Sequence, residues 1–142
     1  MRIKLFLAAI IWLYSGISFA LENSEPNYLT YPQIIQQFRV WEAAEPNYIG
    51  TFSIGETTKG QQILAIRLTN EAIPAEEKKK VLITSCIHGN EPLATATTVR
   101  IIAQILNGKD SSPQLKSLFD VREIYLIPVV SPDSYPHSRH VD

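Results

Sequence analysis

The chain has 142 residues, with 13 Lys and Arg against 14 Asp and Glu and a formal net charge of −1. That balance leaves no basic stripe, so nucleic acid is not an expected partner, and the lysine run Lys78 to Lys80 follows Glu76 and Glu77 as a solvated loop would. A single cysteine, Cys86, excludes an internal disulfide framework.

Residues 1–20, MRIKLFLAAIIWLYSGISFA, have a basic start (Arg2, Lys4), an apolar run from Leu5 and a small-x-small ending at Ser18-Phe19-Ala20. Those are the three regions of a secretory signal peptide, cleaved after Ala20. The competing reading is a single membrane anchor, for which the charge-free run is barely long enough. Cleavage leaves 122 residues, enough for one domain with a core, carrying eleven basic and fourteen acidic side chains. The expectation is an exported protein, periplasmic or extracellular, with no stable membrane span after cleavage.

Residues 21–29 are polar and turn-rich and form a loosely held N-terminus. Thr30 and Gln33 make a T-x-x-Q capping box, with Pro32 tolerated in the first turn. Ile34, Ile35, Phe38 and Trp41 follow at helical spacing, and Glu45-Pro46 ends the helix. A hairpin comes next, from Tyr48 to Ile54 and from Gln61 to Thr69, joined by a turn whose Gly55 and Gly60 can supply positive φ. After a charged loop, Val81 to Ile87 reads as an uncharged buried strand, with Cys86 as a small buried side chain.

The chain breaks at His88-Gly89-Asn90 and re-enters a helix from Glu91 to Leu106. Its polar stripe is narrow (Thr97, Arg100, Gln104, Asn107), so it should be covered on most sides. Asn107-Gly108 stops it, Ser112-Pro113 opens a short helix turning Leu115, Leu118 and Phe119 inward, and a final strand runs from Val121 to Val130. Pro128 belongs near that strand's end or on an edge. The order argues an α/β fold, a mixed sheet with helices on both faces.

His88 and Glu91 stand where a strand end meets a helix start, a favoured place for a site in an open α/β sheet. An imidazole and a carboxylate at this spacing can reach one ion and suit zinc, for which catalytic sites take three protein ligands and leave one position open. The same residues also fit a plainer role, an imidazole at a helix start beside a solvated carboxylate. Gly89, Asn90 and Pro92 favour the sharp turn and helix start that a site needs.

His88-Gly89-Asn90-Glu91-Pro92 after an uncharged strand resembles the zinc-binding H-x-x-E motif of the zinc metallocarboxypeptidases of the carboxypeptidase A type. The G-x-T-x-x-G turn at Gly55, Thr57 and Gly60, the helix from Thr30, and Leu126-Ile127-Pro128-Val129-Val130-Ser131-Pro132-Asp133 resemble that family's early hairpin, the helix before it and its N-P-D-G turn. The resemblance covers residues 30–142. It implies an exopeptidase that binds peptide or peptide-like C-termini and hydrolyses the last peptide bond with one Zn2+ ion. It makes His88 and Glu91 the first two zinc ligands and Arg139 similar to the arginine that polarises the scissile carbonyl.

Two departures accompany it. The family's N-P-D-G reads Ser131-Pro132-Asp133-Ser134, which puts the local turn in question. The family's carboxylate-binding N-R pair, third zinc ligand and general-base glutamate are all expected beyond Asp142, so the domain of residues 30–142 is expected to be incomplete at its C-terminus, without a catalytic base and inactive alone. His137 and His140 read as solvated loop residues. Two alternatives stay open. One is a zinc amidohydrolase of the aspartoacylase and succinylglutamate desuccinylase type, whose N-acyl substrates fit export poorly. The other is a non-catalytic secreted remnant or binding module.

Overall fold

The computed structural model describes residues 28–135. The expected signal peptide, most of the expected loose N-terminus, and Arg139, His137 and His140 lie outside the described residues. Three helices and four strands follow in the order α1 (Tyr31–Ala44), β1 (Ile49–Glu56), β2 (Gln62–Leu68), β3 (Lys79–Thr84), α2 (Pro92–Gly108), α3 (Pro113–Val121) and β4 (Arg122–Ile127), with short 3-10 turns at Ala75–Glu77 and Pro132–Ser134.

Local chemistry sets most of these boundaries. The backbone N–H of Thr30 donates to Gln33 Oε1 at 2.8 Å, closing the expected box at the start of α1. Ser112 Oγ accepts from the Leu115 N–H and starts α3, as a serine N-cap does. In the β1–β2 turn Gly60 has φ +77, a conformation that costs glycine nothing. A bulge between Ser53 and Gly55 twists the end of β1.

The sheet is mixed, in the order β1-β2-β4-β3. The pairs β1/β2 and β2/β4 are antiparallel, and β3/β4 is parallel. Register puts Ile49, Leu68 and Ile124 across from one another, and Ile66 across from Leu126, all on one face. On that face the core gathers Ile34 and Phe38 of α1, Val99, Ile102 and Leu106 of α2, and Phe119 of α3. The described helices contribute to this one core, and the opposite face of the sheet carries Phe52, Arg67, Leu82, Glu123 and Tyr125 by alternation.

The largest departure from expectation is β3. The run from Val81 was expected to be a buried strand, and its interior residues are exposed: Val81 39%, Leu82 65% and Ile83 40%. The reason is topological. β3 pairs only with β4, so it is an outer strand among the described residues, and composition suited to an interior strand does not make it one. The interior place falls to β4, which carries Arg122 and Glu123 and pairs on both sides. Glu123 is buried, with Arg67 Nε at 3.5 Å and Lys80 Nζ at 3.7 Å as its counter-charges. The α2 helix departs in the same sense. It buries Thr95, Thr98, Val99, Ile102 and Leu106 but leaves Leu93 and Ile101 exposed beside the polar stripe.

Candidate metal centre

The parallel pairing of β3 and β4 continues past both strands and builds the floor of the site. Ser85 N–H donates to Ile127 O at 2.9 Å, Val130 N–H to Ser85 O at 3.1 Å and Ser131 N–H to Cys86 O at 3.3 Å. Cys86, expected inside a strand, lies beyond it with φ +51, a left-handed backbone that non-glycine residues seldom adopt. Its side chain is buried as expected, and its Sγ lies 3.1 Å from His88 O. The chain therefore turns out of the sheet at Cys86, before the expected break.

The turn delivers His88 and Glu91 side by side at the start of α2. His88 Nδ1 and Glu91 Oε1 face each other at 3.2 Å, while the other carboxylate oxygen accepts from the His88 backbone N–H at 3.1 Å. Glu91 N–H donates back to His88 O at 3.2 Å. Both side chains are open to solvent, 78% for His88 and 43% for Glu91. The hydrogen bond from the His88 ring, helped by the one from its backbone, holds the Glu91 carboxyl below its ordinary value, so it is anionic at neutral pH.

One imidazole nitrogen and one carboxylate oxygen, adjacent and accessible, form a donor set that fits a borderline-soft divalent cation such as zinc. Among the described residues no group of three His, Cys, Asp or Glu side chains is placed to hold a metal.

Gly89 is needed at this place for a reason other than the expected one. A Cβ there would run into the carbonyl oxygen and hydroxyl of Ser134, so the backbone must approach the Pro132–Ser134 turn bare. That turn forms despite its departure from N-P-D-G: Ser131 Oγ and Ser134 Oγ lie 2.8 Å apart, and Ser134 N–H reaches Ser131 O at 3.4 Å. Sequence reasoning missed the partner of the neighbouring carboxylate. Asp133 Oδ1 accepts from Thr57 Oγ1 at 2.6 Å, and Asp133 Oδ2 accepts from Lys59 N–H at 3.3 Å. Both motifs stand in the sequence, but nothing along the chain pairs them: the threonine of G-x-T-x-x-G and the aspartate of the later turn are hydrogen-bond partners across the fold.

The zinc carboxypeptidase family model matches residues 34–142. A zinc carboxypeptidase of Saccharothrix mutabilis subsp. capreolus is 29% identical over 75% of this chain and 24% of its own length. An inactive metallocarboxypeptidase of Talaromyces marneffei is 30% identical over 82% of this chain and 20% of its own length. Carboxypeptidase A of Helicoverpa armigera superposes with a TM-score of 0.69 at 20% identity, over 93% of this chain and 32% of that one, which shows the fold. The chain spans about a quarter or less of the curated relatives it matches. It belongs to the zinc carboxypeptidase family.

Proposed function

We propose that the chain supplies the first half of the metal site of an exported zinc metallocarboxypeptidase, with His88 and Glu91 as two of its ligands. The observation that carries this reading is the meeting of Nδ1 and Oε1 at 3.2 Å, at the sheet-to-helix junction of a family member. Zinc, when bound, supplies Lewis-acid chemistry toward water and a carbonyl. This chain's own contribution is to present the donors. The His88 backbone N–H fixes the Glu91 carboxylate, and the exposed ring leaves room for a peptide C-terminus to approach. Arg139 is assigned, by resemblance, to the scissile carbonyl. Peptide C-termini are favoured over N-acyl amino acids because the family match is to carboxypeptidases. Export rests on residues 1–20; no helix among the described residues is long and apolar enough to cross a membrane.

The test is zinc titration of the chain by calorimetry. One equivalent should bind, and His88→Ala or Glu91→Ala should each abolish binding. Affinity unchanged in both variants would remove these residues from the site. A second reading has specific support, since one of the relatives above is an inactive metallocarboxypeptidase. Under it, zinc binds in the same way but C-terminal residues are not released from peptides, even by a protein with the family's full complement of residues.

A further inference from the structure

The two motifs that the zinc site leaves unused, G-x-T-x-x-G and the Ser131–Ser134 turn, are joined in the structure, and the joint leads back to His88. Thr57 is a hub. Its hydroxyl donates to Asp133 Oδ1 at 2.6 Å and accepts from Lys59 N–H at 3.3 Å and Gln61 N–H at 3.1 Å. Its backbone closes the turn, N–H to Gln61 O at 2.8 Å and carbonyl to Gly60 N–H at 3.0 Å. The second Asp133 oxygen takes Lys59 N–H at 3.3 Å and Thr58 Oγ1 at 3.4 Å. One carboxylate therefore fixes a hairpin turn more than 70 residues earlier in the chain.

From Asp133 the path to the site is short. Ser134 is the next residue and abuts the bare backbone of Gly89, the neighbour of His88. On the other side Ser131 N–H holds Cys86 O, and Cys86 Sγ reaches His88 O. The loop bearing the two donors thus rests on the 131–134 turn at both flanks, and that turn is anchored by Asp133.

We propose that Asp133 is a positioning residue for the metal centre: by clamping the β1–β2 turn it holds Ser134 against Gly89 and so sets the placement of His88 and Glu91. This rests on the reading of those two residues as zinc donors. Partners hydrogen-bonded directly to a ligand are typically worth about 10- to 100-fold in metal affinity, and Asp133, acting through Ser134 and Gly89, is expected at the low end of that range.

The experiment compares Asp133→Ala, Asp133→Asn and Asn70→Ala in the full chain, by calorimetric zinc titration and by amide hydrogen exchange without metal. Asn70 bonds Asp120 at 2.7 Å beyond the other end of β2, so its loss destabilises the fold away from the site. Asp133→Ala should weaken zinc binding about tenfold and speed exchange at the His88 and Glu91 amides by a similar factor. Asp133→Asn, which keeps an acceptor for Thr57, should restore most of both, and Asn70→Ala should change neither. Wild-type values for Asp133→Ala, unchanged zinc affinity despite faster exchange, or an equal effect from Asn70→Ala would each overturn the proposal. If the unaltered chain binds no zinc while Asp133→Ala still speeds exchange at His88 and Glu91, the ligand reading fails and the positioning stands.

Discussion

The two outer strands of the sheet are finished in opposite ways. β1 ends in a bulge and has its Thr51 N–H taken by Glu42 Oε1 of α1 at 3.0 Å, although its Phe52 and Ile54 are exposed. β3 has no such cover among the described residues. It presents Val81, Leu82 and Ile83 to solvent beside β4, its one partner. Proteins commonly close a strand edge with a bulge, a charge or a covering element; β1 has the bulge and the Glu42 contact, and β3 has the charges of Lys79 and Lys80. β3 has the composition of a strand flanked on both sides, in a chain spanning 24% or less of its curated relatives.

The contrast can be broken most directly by truncating matched positions. Ile49 of β1 is 2% exposed, and Ile49→Ala should cost about 3 kcal/mol in denaturant unfolding. Val81 faces the same side of the sheet at 39% exposure, and Val81→Ala should cost no more than about 1 kcal/mol. Equal losses would mean that β3 is covered in solution.

A pH titration sharpens the picture beneath the sheet end. Tyr135 is buried, and desolvation pushes its phenol up from 10.0 to about 12. The fold thus favours the neutral phenol. That contribution is complete below pH 10 and is lost as pH rises through about 12, by about 3 kcal/mol in all. Tyr135→Phe should remove this alkaline loss. If both proteins lose stability alike, the chain below the β3 tip is open to water.

Two smaller effects concern the edges themselves. Glu42→Ala frees the Thr51 amide and hydroxyl and should cost about 1 kcal/mol, with increased self-association by light scattering. Leu82→Lys should shift stability by less than about 0.5 kcal/mol and reduce self-association. A large stability loss from Leu82→Lys would show a covering contact on β3.

What could be read without coordinates was what short-range chemistry decides. The Thr30–Gln33 box, the glycine turn of the hairpin and the adjacency of His88 to Glu91 all depend on residues within a few positions of one another, whereas α2 runs through the expected stop at Asn107-Gly108 and has Lys109 as its C-cap. Strand order depends on pairings between distant segments, and local hydrophobicity carries no record of it. Apolar composition therefore points β3 inward although it pairs on one side only, and β4, with its buried Glu123, is the strand that pairs on both. The Asp133 clamp was hidden for the same reason, although both of its motifs were noticed. Gly89 was understood as a turn glycine because the crowding by Ser134 is invisible along the chain.

The left-handed turn at Cys86 has a practical consequence. The chain's one thiol is sealed in the core, two residues before the imidazole, so a thiol reagent can reach it when that loop lifts away. Labelling kinetics would read the opening of the loop against time, without any introduced cysteine, and a bound ion would register as a slower clock.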